Sequence, residues 1–70
     1  MVERKELRVG DRYDYRDKSM TEPVRVVVER IDGHEVLTQL EKEQFSRRWQ
    51  IDTFAENATV AVRLSLQLGG

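Results

Sequence analysis

Two apolar runs facing each other across Asp32-Gly33 constrain this chain more than any other feature: Pro23–Leu40, PVRVVVERIDGHEVLTQL. Val24, Val26 and Val28 alternate with Arg25, Val27 and Glu29, the period-two pattern of a strand, and β-branched residues lose little by being extended. Pro23 has no N–H to give to a ladder and suits a strand's first residue. A two-residue loop of Asp32-Gly33 would set Val24, Val26 and Val28 against Glu41, Gln39 and Leu37, apolar against polar. A three-residue loop, Ile31-Asp32-Gly33, with Gly33 left-handed as a bulge, instead sets Val28 against Val36, Val26 against Thr38 and Val24 against Leu40. The second register is the expected one, because a one-residue slip moves the whole apolar set to the wrong face. It also places Val27 opposite Leu37 on the reverse face.

Composition narrows what such a hairpin can belong to. Seventy residues allow one domain that buries only about 60 % of its unfolded surface, hence a small core. Without cysteine there is no disulfide or thiolate site, which fits a reducing cytoplasm. No apolar run is long enough to span a membrane and no signal-peptide pattern occurs, so neither a membrane location nor export is expected. Twelve basic and 13 acidic residues leave a net charge of -1, which argues against a general nucleic-acid binder, whose footprint is a clear basic excess. Charged residues are 36 % of the chain, but its apolar residues are patterned rather than scattered, which decides for a folded domain over disorder.

Before the hairpin, residues 1–6 are charged and aperiodic, a flexible terminus. Leu7, Val9, Tyr13 and Tyr15 share one parity, with Gly10-Asp11 as a bend before a first strand. Arg16–Glu22 is a polar connection. After the hairpin, EKEQFSRRW reads two ways: a short helix with Phe45 and Trp49 at i and i+4, or a strand from about Phe45 to Ile51 with Phe45, Trp49 and Ile51 inward and Ser46, Arg48 and Gln50 outward. The strand is preferred, since helix propensity is a weak prior and a barrel needs this strand. Asp52–Asn57 is expected to be a single helical turn, capped by Asp52, with Phe54 tucked beneath. In the last stretch Val60, Val62, Leu64, Leu66 and Leu68 alternate with polar or small residues, a strand of about 30 Å. An unpaired apolar edge of that length is an aggregation hazard, so it is expected to curl around a barrel or to pair with another subunit through Leu64–Leu68.

This order of strand, long loop, hairpin, strand, short turn and strand resembles small five-stranded SH3-like barrels, in which a helical turn separates the last two strands. More narrowly, the chain is similar to short bacterial and phage proteins that open with Gly-x-x-Tyr and close with an aromatic, then Phe and Glu; here these are Gly10-Asp11-Arg12-Tyr13 and Trp49-Gln50-Ile51-Asp52-Thr53-Phe54-Ala55-Glu56. The resemblance covers about residues 7–62. The fifth strand runs beyond the usual stop, and the second loop lacks a Gly-rich turn. It implies a mainly β fold, with 7–70 as one SH3-like domain, and no catalytic residue. In such barrels aromatics on the first and fourth strands line grooves for proline-rich peptides, methylated side chains or single-stranded bases.

Chemistry-bearing constellations are sparse. His34, the sole histidine, lies at the hairpin turn and reads as a solvated turn residue rather than a ligand or base. Asp11, Asp14 and Asp17 do not converge in a strand and lack the Gly and closing Glu of a calcium loop. With no phosphate loop and no nucleophile elbow, no enzyme, cofactor or metal is expected. Trp49 and Phe54 read as core, while Tyr13 and Tyr15 share a face and need one wet end each. Arg47 and Arg48, with Arg12, Arg16 and Arg63, offer a small basic patch. The expected function is therefore protein interaction or self-association through Tyr13, Tyr15, Val27, Leu37, Leu66 and Leu68. The alternative is a nucleic-acid accessory module using Arg47, Arg48 and Tyr13.

Overall fold

A computed structural model describes residues 1–62, so the expectations for Arg63, Leu64, Leu66 and Leu68 lie outside the described residues. Five antiparallel strands, β1 (Arg12–Tyr15), β2 (Val24–Asp32), β3 (Glu35–Leu40), β4 (Ser46–Gln50) and β5 (Ala58–Val62), form one sheet in the order β4-β3-β2-β1-β5. A helix, α1 (Ile51–Asn57), joins β4 to β5. The fold is thus mainly β with one short helix before the last described strand, as the sequence predicts. The sheet is open: among the described residues β4 and β5 are its edges and do not pair. It is nevertheless strongly coiled. The rings of Tyr15 on β1 and Trp49 on β4 lie 4.1 Å apart between centroids, although β2 and β3 intervene and a flat sheet would separate those strands by about 14 Å.

The hairpin keeps its expected faces and changes its partners. Asp32 pairs with Glu35, Ile31 with Val36 and Arg30 with Leu37; beyond a bulge at Glu29, Val28 pairs with Thr38, Val27 with Gln39 and Val26 with Leu40. The loop is therefore the two-residue Gly33-His34. Gly33 has φ +56° and, among the described residues, no non-glycine residue has positive φ, the sign pattern of a type II′ turn, whose twist matches that of the flanking strands. This corrects the three-residue loop, while Gly33 is left-handed as expected. Val28 meets Thr38 rather than Val36, a slip of two residues, and two is the one small slip that preserves parity. The bulge then lets Ile31, three residues after Val28, turn to the same side.

On the concave face the two tyrosines, Val26, Val28, Val36, Trp49 and Phe54 are buried. Ile51, Phe54 and Ala55, at i, i+3 and i+4, form the buried side of α1. Phe54 is fully buried, 5.7 Å from the Tyr13 ring edge-on and 5.7 Å from the Tyr15 ring in a stack, so both Trp49 and Phe54 are core as expected. Four details differ from the sequence reading. Gln50, not Asp52, is the helix N-cap, and Asp52 lies exposed in the first turn beside Arg4 at 3.4 Å. Phe45 is 52 % exposed because β4 begins after it, and four aromatic rings already fill the small core. Residues 1–6 are not a loose end: Arg4–Glu6 form a 3-10 turn, Val2 is buried, and its N–H donates to the Ala55 carbonyl at 2.9 Å. Val60 pairs with Tyr13, so it has the expected facing, yet it is 37 % exposed because nothing among the described residues covers that rim.

Candidate interaction surface

Strand alternation sends Val27, Arg30, Leu37, Arg48 and Gln50 to the convex face of β2, β3 and β4. Val27 and Leu37 are half-buried there. Leu37 has Arg30 as its partner on one side and Arg48 on the other, so it does not face Val27 directly as the expected register required. Leu37 floors a depression of about 120 Å³ whose rim is Arg30, Asp32, Glu35 and Arg48. Arg30 lies 3.6 Å from Asp32 and Arg48 lies 3.9 Å from Glu35, so the rim neutralises itself. At that volume it is too small for an organic cofactor, whose pockets hold roughly 300 Å³ or more.

The same self-neutralisation runs across the rest of the face. The Arg25 guanidinium donates to both carboxylate oxygens of Asp14, at 2.8 and 3.3 Å, and Arg12 donates to Glu41 at 3.1 Å. The Asp14 pair and Glu41 raise the Arg25 pKa, the hydrogen bond to Asp14 being the largest cause. Solvent screens exposed pairs of this kind, so they add little stability. Their main consequence is that little unbalanced charge is presented to a partner.

The other candidate residues fall elsewhere. Tyr13 and Tyr15 are 0 % and 1 % exposed; they belong to the core and present no ring to a partner. Their polar ends are satisfied locally: the Tyr13 hydroxyl donates to the Glu6 carbonyl and accepts from the Arg8 N–H, both at 3.3 Å. The Tyr15 hydroxyl donates to Asp17 at 3.3 Å. Burial, reinforced by the Asp17 carboxylate, pushes the Tyr15 phenol above its ordinary pKa. Hydrogen bonds from the Ser19 hydroxyl and N–H hold Asp17 below the usual carboxylate range.

Adjacent residues of a strand point to opposite faces, so Arg47 and Arg48 do not converge. Arg47 turns to the concave side, where its guanidinium stacks 4.4 Å from the Trp49 ring centroid. With Tyr13 buried, Arg47, Arg48 and Tyr13 form no continuous track for a phosphate backbone. Arg16 hydrogen-bonds the Met20 carbonyl. His34 is exposed in its turn and its carbonyl accepts the Ile51 N–H at 2.7 Å. Among the described residues no group of three or more His, Asp or Glu could hold a metal ion, and Asp11, Asp14 and Asp17 are engaged separately. No helix among them is long and apolar enough to cross a membrane.

Sequence reasoning missed two features. One is a buried relay in which the Trp49 indole N–H donates to the Thr38 hydroxyl at 2.8 Å and that hydroxyl donates to the Arg47 carbonyl at 3.3 Å. The other is the position of the open edge: the sequence marked the last strand as an edge to be covered through Leu64–Leu68, whereas among the described residues β5 is already unpaired on one side at Val60. No periodicity marks the first, and an edge is defined only by which strands pair. No family model, curated protein or solved structure matches the chain.

Proposed function

We propose that the chain is a non-enzymatic SH3-like interaction module, of the kind found in short phage and bacterial proteins, that works in the cytoplasm by binding a protein partner or a second copy of itself. The observation that carries this reading is the convex face: Val27 and Leu37 lie half-buried among arginines already matched to Asp14, Asp32, Glu35 and Glu41. An apolar centre with a neutralised polar rim suits a protein surface better than a polyanion. Two observations support the SH3-like part. The strand order is β4-β3-β2-β1-β5 with a short helix between β4 and β5, and the sheet coils until Tyr15 meets Trp49. Titration against labelled single- and double-stranded DNA and RNA at two salt concentrations tests it. No binding is expected at either salt concentration. Micromolar binding that weakens steeply with salt would overturn the reading in favour of the nucleic-acid module, since phosphate contacts release counterions.

A further inference from the structure

We propose that two copies of this chain pair antiparallel along the open edges of β5, about a two-fold axis centred on Val60. This deepens the self-association part of the function proposed above and rests on it.

The phase of the β1–β5 ladder comes first. The Arg16 N–H donates to the Asn57 carbonyl at 3.1 Å, and the pairing continues as Tyr15 with Ala58, Asp14 with Thr59 and Tyr13 with Val60. In an antiparallel ladder, residues that exchange hydrogen bonds alternate with residues that do not. Asn57 and Thr59 therefore aim their backbone groups at β1, and Val60 aims its N–H and C=O at the open side. No strand among the described residues pairs with that side.

The two edges of the sheet differ in chemistry. β4, SRRWQ, carries adjacent arginines, the kind of charge that keeps a strand edge from pairing with its like. Two β4 edges brought together would oppose arginine to arginine, which is destabilising. β5, ATVAV, carries neither charge nor proline; its one edge-protecting feature is the register shift after Val60, where Tyr13 pairs with Val60 and Arg12 with Val62, so it is the less guarded edge. Val60 is its middle residue and is 37 % exposed although it shares the concave face with Tyr13.

A second copy supplies a matching strand by symmetry. Centred on Val60, the two-fold makes each Val60 N–H donate to the other copy's Val60 carbonyl. It sets one β-branched side chain against the other on the same face, a favourable cross-strand pair, and yields one ten-stranded sheet with an isologous contact. So short an edge gives a reversible, concentration-dependent dimer.

Sedimentation velocity of the full chain across a concentration series, with three variants, tests the proposal. The unaltered chain should pass from monomer to dimer and stop there. Val60→Pro should stay monomeric yet folded by circular dichroism, because a proline whose missing N–H faces an open edge spares the ladder; Val60→Lys should behave alike, and serves if the proline unfolds the chain. The chain contains no cysteine, so Val60→Cys should oxidise to a disulfide-linked dimer. Val9→Cys, at a site 58 % exposed, should not. A monomer at every concentration overturns the proposal while leaving the convex-face reading standing. So does a dimer indifferent to both Val60→Pro and Val60→Lys, which would leave self-association intact but place it elsewhere. Growth beyond the dimer overturns it in favour of head-to-tail pairing of β4 with β5.

Discussion

Removing the Thr38 hydroxyl tests whether the fold depends on its buried relay. Thr38 is 0 % exposed; its hydroxyl accepts from the Trp49 indole at 2.8 Å and donates to the Arg47 carbonyl at 3.3 Å. Thr38→Val keeps the shape and deletes both bonds. Each is worth about 1 kcal/mol net, and a buried donor left without a partner costs about 1–3 kcal/mol. Trp49 keeps 8 % exposure, so water reaches part of the ring, and the extra methyl returns about 0.8 kcal/mol by burial. The expected loss is about 1–2 kcal/mol, or roughly 4–16 °C in Tm for a chain of this size. Thermal unfolding followed by far-UV circular dichroism measures it. The sharper measurement is the cycle with Trp49→Phe, which removes the donor. That change should cost about 1 kcal/mol less in the Thr38→Val background than in the unaltered chain. Additive effects, or a Tm within error of the unaltered chain, would refute the relay.

Gly33→Ala meets no atom within 4 Å of the added Cβ, so its cost is backbone strain at φ +56°. That strain is about 1–2 kcal/mol, offset by about 0.4–1 kcal/mol from the stiffer unfolded chain. A net loss of about 1 kcal/mol is expected in chemical denaturation. Phe54→Ala empties the centre of the aromatic cluster and should cost about 3–5 kcal/mol, enough to unfold a domain of marginal stability; urea titration of tryptophan fluorescence reads it. Alkaline titration should expose Tyr15. Its folded pKa is raised above 10.0, so its contribution to stability is complete below that pH and is lost as pH rises through the raised value, a loss that Tyr15→Phe should abolish in Tm measured against pH. Asp17 has the opposite sign. Its folded pKa is lowered from 3.8, so its contribution is present above that value and is lost as pH falls through the lowered one, and the Tm of Asp17→Asn should converge on that of the unaltered chain in acid.

Parity was legible in the linear chain, because side chains alternate along a strand whatever it pairs with. From parity alone, Val26, Val28, Val36 and Thr38 share the buried face, and Val27 and Leu37 the other. The demand for positive φ at Gly33 and the burial of Phe54 under a short helix were equally local, since one residue's sterics and one apolar side chain set them. The candidate surface was legible to the same extent: Val27 and Leu37 follow from alternation, whereas Tyr13 and Tyr15 needed the closed core to show that their hydroxyls find Glu6 and Asp17 without reaching solvent.

Whatever depends on which strand lies beside which was decided only in three dimensions. A register displaced by two residues leaves parity unchanged, so Val28 against Thr38 and Val28 against Val36 are the same pattern in one dimension; the type II′ turn at Gly33-His34 and the bulge at Glu29 choose between them. The small core had room for four aromatic rings, which left Phe45 outside and Arg47 stacked on Trp49. Val2 found its place only because α1 offered the Ala55 carbonyl. Whether an apolar strand such as β5 is interior or edge is likewise no property of its residues: it depends on the neighbour they are given, and among the described residues β5 has one neighbour.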